Sequence, residues 1–189
     1  YNTFDVTSLV QKAENTVGVL LGNGWYNQRD RTVEGCMWYD TPRLLCQLEI
    51  EYTDGSTELV VTDDSWKTTT GPLLHDAIFT GEEYDARLEL DGWNRNGYKD
   101  SSWKKALLVR APKGSLHAQL APHEKIIRIL QPVSCEQKDD STYWYAFPEM
   151  ISGWAHIKVQ GNAGDRIKLR FVGEEKNDFG QVDLYTLRG

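Results

Sequence analysis

Hydrophobic and polar positions alternate with period two through the middle of the chain, which is the period of a half-buried strand rather than of a helix. In LLCQLEIEY, Leu44, Cys46, Leu48, Ile50 and Tyr52 share one face, while Gln47, Glu49 and Glu51 share the other. Asp54-Gly55 follows, and Leu59 and Val61 then alternate with Glu58, Val60 and Thr62. The spacing predicts an antiparallel hairpin closed by a tight Asp-Gly turn. The same period returns in GWAHIKVQ, where Ala155, Ile157 and Val159 alternate with Trp154, His156 and Lys158, and again in Ile167, Leu169 and Phe171. With Gly161 to Asp165 as the turn between them, these two stretches predict a second hairpin.

Shorter apolar runs fill the remainder. Phe4 and Val6 predict a short strand, Ser8 to Lys12 a turn of helix capped by Thr7, and Thr16 to Leu21 a buried strand. Trp66, Leu73, Ile78 to Phe79, Ala106 to Val109 and Tyr143 to Phe147 each predict a further strand. Short strands at close spacing, with no amphipathic helix longer than two turns, define an all-β protein, an antiparallel jelly-roll β-sandwich. The stretch between Pro112 and Pro122 has no periodicity and divides the chain. Residues 1–120 are expected to form a sandwich lacking upstream strands, because the pattern opens in mid-strand. Residues 121–189 are expected to form an incomplete second sandwich, the whole being a fragment of something larger.

Composition narrows the chemistry. Of 189 residues, 40% are hydrophobic and 11% aromatic, with seven Trp and nine Tyr against two Met, which suits both pleated sheets and the flat faces of sugar rings. A formal charge of -7 without any run of Lys and Arg excludes nucleic acid and anionic membrane surfaces as partners and favours a neutral or cationic ligand. Cys36, Cys46 and Cys135 are odd in number and widely spaced, which gives neither a disulfide framework nor a zinc site and leaves only a Cys36–Cys46 bridge open. His75, His117, His123 and His156 are scattered without metal-ligand spacing.

Candidate chemistry gathers in GPLLHDAIFTGEEYDARLELDGW, from Gly71 to Trp93. As a strand, it would send Glu83, Asp85 and Arg87 to one side and Glu82 and Tyr84 to the other. A surface ion pair between Asp85 and Arg87 is the plain reading, and a ligand-binding edge the functional one. Gly22-Asn23-Gly24 predicts a tight bend with positive φ that throws Trp25 and Tyr26 onto a rim. The two glycine-marked segments are expected to approach each other at one end or face of the sandwich.

Taken in order, FDVT, AENTVGVLLGNGWY, LLCQLEIEYTDGSTELVVTDDSWK, GPLLHDAIFTGEEYDAR and LDGW resemble the amino-terminal accessory domain of bacterial α-L-rhamnosidases, almost continuously from Tyr1 to about Trp103. The stretch from Pro122 onward looks like the start of the next β-sandwich in the same enzymes. The resemblance implies a multidomain glycoside hydrolase that releases terminal L-rhamnose, with an inverting (α/α)6 barrel as its catalytic unit and as a partner of this segment. It further implies similarity to a carbohydrate-binding module that holds rhamnose through a calcium ion. On that scheme Asn23, Trp25, Tyr26, Glu82, Tyr84, Asp85 and Arg87 would bind a rhamnose-containing sugar, and Asn23, Asp85 and the Pro72 carbonyl would ligate calcium. Glu82, Glu83, Asp85, Glu174 and Glu175 could be read as hydrolytic carboxylates, but adjacent carboxylates do not by themselves span a scissile bond, so no catalytic residue is assigned. The expected role is non-catalytic, with rhamnose binding. The alternative is a structural module that packs on the barrel, in which Trp25, Trp38 and Trp93 would be buried at a domain interface.

Overall fold

The computed structural model describes residues 1–28, 37–111, 113–173 and 178–189, and among them strands dominate. In chain order these are β1 (Asn27–Gln28), β2 (Met37–Trp38), β3 (Gln47–Glu51), β4 (Thr57–Val61), β5 (Lys67–Thr68), β6 (Leu73–Ala77) and β7 (Gly81–Asp85). They continue as β8 (Lys104–Lys105), β9 (Ser134–Gln137), β10 (Tyr143–Ala146), β11 (Arg166–Val172) and β12 (Asp178–Thr186). Helical structure among the described residues is confined to 3-10 turns at Thr7–Leu9 and Ala86–Leu88, so no helix there is long and apolar enough to cross a membrane. The all-β reading holds.

The β3–β4 hairpin forms in the register Gln47↔Val61 to Glu51↔Thr57, with Leu48 and Ile50 half-buried and their polar neighbours exposed. Its loop has three residues rather than two. The Tyr52 N–H donates to the Ser56 carbonyl at 2.8 Å and the Gly55 N–H to the Tyr52 carbonyl at 2.9 Å. Gly55 takes φ +82°, which a side chain would resist, while the Asp54 carboxylate accepts the Ser56 N–H at 2.9 Å.

The largest sheet has the order β11-β12-β7-β6. β6 and β7 are a hairpin turned at 78–80, so Ile78 and Phe79 lie in a turn and not in a strand of their own. β12 then runs parallel to β7, pairing Leu184 with Glu83 and Thr186 with Asp85, the one departure among these pairings from an antiparallel plan. Strand direction is free there because a long connection, and not a hairpin, separates the two. The sheet draws two strands from before residue 120 and two from after it.

Five other local expectations are corrected. β11 pairs with β12 and not with residues 154–159, because the nine-residue β12 offers a longer alternating ladder. Residues 16–21 form no strand: apolar character alone supplies no hydrogen-bonding partner, and Val17 and Leu20 stay exposed. Phe4 and Val6 form none either, although the amino terminus donates to the His117 carbonyl at 2.6 Å and Phe4 stacks on His123. The first helical turn is 3-10, spans Thr7–Leu9 and has Val6 in place of Thr7 as its N-cap residue, while the Asp5 carboxylate just before it accepts the Thr7 N–H at 2.9 Å. Ala106 follows β8 in place of starting a strand and donates to the Trp66 carbonyl at 2.8 Å. Cys36, Glu174 and Glu175 lie outside the described residues.

Ala86 and Leu187 are the buried apolar residues among those described. The chain exposes 16264 Å², against about 9,000 Å² expected for a self-contained monomer of its mass.

Candidate functional site

The two faces of the four-stranded sheet carry different chemistry, because strand residues alternate sides and the register lines up like with like. On one face Asp76 of β6 pairs across to Glu82 of β7, and the Glu82 N–H donates to the Asp183 carboxylate of β12 at 3.0 Å. One step along, Tyr84 and Tyr185 are register partners whose rings stack at 5.6 Å and 11°. These five side chains and Trp154 line a cleft of about 1080 Å³, with Leu169 and Phe171 of β11 among its apolar residues. Gly24, from the predicted bend, lines it too.

Burial raises the Glu82 carboxyl above the usual range, and the neighbouring Asp183 and Asp76 charges raise it further. Burial also pushes the Tyr84 phenol up to about 12, helped by its hydrogen bond to Glu89 at 3.0 Å. Subtracting a Tyr84→Phe titration from the wild-type one at 295 nm is expected to leave a tyrosinate step near pH 12. Because the folded value lies above the unfolded one, Tyr84 contributes stability that is complete below pH 10 and lost as pH rises toward 12. A difference step at pH 10 would place Tyr84 in open solvent.

The opposite face holds ion pairs. Glu83 meets Arg166 at 2.9 Å, while Asp85, 7% exposed, accepts the Arg87 backbone N–H at 3.0 Å and its guanidinium at 2.9 and 2.7 Å. Those Arg87 hydrogen bonds hold the Asp85 carboxyl below the usual carboxylate range. Asp85 therefore stands on the far side of the sheet from Glu82 and Tyr84, as strand alternation requires, and Arg87, in the 3-10 turn that follows, is held to it by the ion pair.

Asn23 is a brace. Its backbone N–H donates to the Asp76 carboxylate at 2.8 Å, its Nδ2 to the Asp76 carbonyl at 3.0 Å, and its Oδ1 accepts from Asn27 at 2.5 Å. Of the bend's glycines only Gly24 has a positive φ, +49°. Trp25, 53% exposed, meets Phe79 edge-on at 5.5 Å, and Tyr26 stacks on Tyr39 at 6.0 Å. Each of the oxygens named for calcium has a protein partner. Asn23 Oδ1 serves Asn27, the Pro72 carbonyl accepts the Asp85 N–H at 2.8 Å, and the Asp85 carboxylate already faces a guanidinium. Among the described residues no group of three or more His, Cys, Asp and Glu is placed to hold a metal ion.

Sequence reasoning reached Glu82 and Tyr84 and missed Asp76, Trp154, Asp183 and Tyr185. The signal for two of these was present: in Val182-Asp183-Leu184-Tyr185, the period of two puts Asp183 and Tyr185 on one face.

The strands define an all-β domain, and comparison with known proteins makes its class specific. The chain is a member of the α-L-rhamnosidase N-terminal domain family, whose model matches residues 1–128. It is 34% identical over 183 residues to an α-L-rhamnosidase of Alteromonas sp. (strain LOR), covering 94% of this chain and 20% of that protein. Among solved structures it resembles the native α-L-rhamnosidase of Aspergillus terreus (TM-score 0.79, 28% identity, 89% of this chain and 21% of that one). It also resembles the Streptomyces avermitilis α-L-rhamnosidase complexed with L-rhamnose (TM-score 0.76, 27% identity, 88% and 17%). The chain thus spans about a fifth of the length of these relatives.

Proposed function

We propose that this chain is a non-catalytic accessory segment of an α-L-rhamnosidase, a glycoside hydrolase releasing terminal L-rhamnose, and that it packs against the remainder of that enzyme, its helical barrel included. The observation that carries this reading is the exposed apolar surface. Leu107, Leu120, Ile127 and Ile129 are 85%, 101%, 95% and 77% exposed, far more than apolar residues of a lone soluble domain leave bare. Each square ångström of apolar surface covered contributes about 25 cal/mol, so such a surface favours association with a larger body.

The test compares the chain alone with the chain inside the whole enzyme. Hydroxyl-radical labelling at Leu107 and Ile127 is expected to fall when the rest of the enzyme is attached, and the chain alone is expected not to hydrolyse an aryl α-L-rhamnoside. Hydrolysis by the chain alone, or unchanged labelling in the whole enzyme, would sink the reading.

A second role is favoured by the cleft: weak binding of a neutral deoxyhexose, L-rhamnose first. The Streptomyces avermitilis relative was solved with that sugar. Calorimetric titration with L-rhamnose, with and without EDTA, tests it. Heat that survives EDTA supports a metal-free site, loss of heat in EDTA brings calcium back in, and no heat in either arm leaves only the packing role.

A further inference from the structure

We propose that residues 124–131 are an interior β-strand of the whole enzyme, and that what meets them there is an extended strand of the enzyme's remainder and not one of its helices. This rests on the packing reading above and names the element that packs. In EKIIRIL, Ile126, Arg128 and Leu130 alternate with Lys125, Ile127 and Ile129, so an extended chain here is apolar on both sides, as in a strand covered on both faces. From 122 to 132 the chain makes no helix, turn or bend, and Ile126, Ile127 and Ile129 are exposed.

The main chain of this segment is unused. Among the described residues no hydrogen bond joins the main chain of residues 122–132 to other main chain. The adjoining ladder stops short of it: the last rung beside the β9–β10 hairpin is the Val133 N–H donating to the Ala146 carbonyl at 2.7 Å. Pro132 and Pro148 follow on the two sides, and neither has an N–H to continue the ladder. Past them a side-chain ion pair, Arg128 to Glu149 at 2.8 Å, links the two stretches.

Burial decides the partner. Once the rest of the enzyme covers Ile127 and Ile129, the amides and carbonyls between them leave water as well, and each then needs a hydrogen bond. A helix laid on the segment would cover its side chains and satisfy none of these groups, because a helix uses its own N–H and C=O groups internally. A strand alongside presents donors and acceptors at the spacing required. The relatives have length for such a strand, since this chain spans about a fifth of each. A second copy of the chain, paired edge to edge, would make the bonds but leave both faces of a two-stranded ribbon in water, and such a ribbon is marginal.

Hydrogen exchange followed by mass spectrometry, on the whole enzyme and on the 189-residue chain, tests the strand. Amides 125–130 are expected to exchange about a hundredfold more slowly in the whole enzyme, and at the rate of open peptide in the chain alone at every protein concentration. In the whole enzyme Ile127→Pro removes one donor and is expected to return its neighbours to fast exchange, whereas Ile127→Ala keeps the donor and leaves them slow. If the proline variant does not fold, the wild-type comparison stands by itself. Fast exchange at 125–130 in the whole enzyme, with hydroxyl-radical labelling of Ile127 still reduced, would mean coverage through side chains, overturning the strand while the packing reading stands. Unreduced labelling of Ile127 would end both. Slow exchange that appears in the chain alone and grows with its concentration would make the partner a second copy and overturn the inference as well.

Discussion

A chain cut after residue 128, where the family match stops, is expected to lose cooperative unfolding altogether. The cut removes β11 and β12, half of the largest sheet, and strips the hydrogen-bonding edge from β7. It also removes both partners that tie the far face together, Arg166 from Glu83 and Arg188 from Glu89 and Asp91. A two-stranded β6–β7 ribbon is at best marginal in water. Urea titration followed by far-ultraviolet circular dichroism should show a sigmoidal transition for residues 1–189 and a featureless slope for residues 1–128. A sharp transition in the shorter chain would mean that the family-matched part folds by itself and that β12 is an accessory to it.

The second large effect is expected at Gly81. Its φ of +95° lies where side chains are strained, and a Cβ there would strike the Val182 carbonyl of β12. Gly81→Ala combines backbone strain with overpacking, each about 1–3 kcal/mol, and is expected to lower the unfolding free energy by about 2–5 kcal/mol. Gly97→Ala is the comparison, since it has a similar φ of +78° with no atom within 4 Å of the added carbon, so it isolates the strain. Urea midpoints measure both. Equal losses at the two sites would show that β12 yields to the extra methyl group.

The difference between what could and could not be read in advance follows from distance along the chain. β3–β4 was legible because pattern and turn are both local, and even there the loop length escaped notice, since Asp54-Gly55 suits two-residue and three-residue hairpins alike. The alternation of Glu82 and Tyr84 against Glu83 and Asp85 was legible for the same reason. What β7 would pair with was not, because an apolar alternating strand specifies a face and not a neighbour. Ala155, Ile157 and Val159 match β11 as well as Val182 and Leu184 do in pattern, and the longer ladder took the place. Half of the cleft was therefore visible as residues, and the other half only as topology. The sugar-contact set drawn from resemblance divided along the same line: Glu82 and Tyr84 face the cleft, while Asp85 and Arg87 face away from it.

The parallel pairing of β7 with β12 also sets a timetable. Glu82 and Asp183 are separated by 101 positions, and at ribosomal speeds of about 5–20 residues per second the partner strand arrives roughly 5–20 s after β7 has been made. During that interval the nascent chain carries an open strand edge ending in Asp85 and flanked by Leu73 and Leu74, the kind of edge that recruits other strands. Glu82 and Glu83, side by side on that edge, place charge where a stray strand would dock. Their first service to the protein would then come before any sugar is met, as guards of an edge that waits for residue 183.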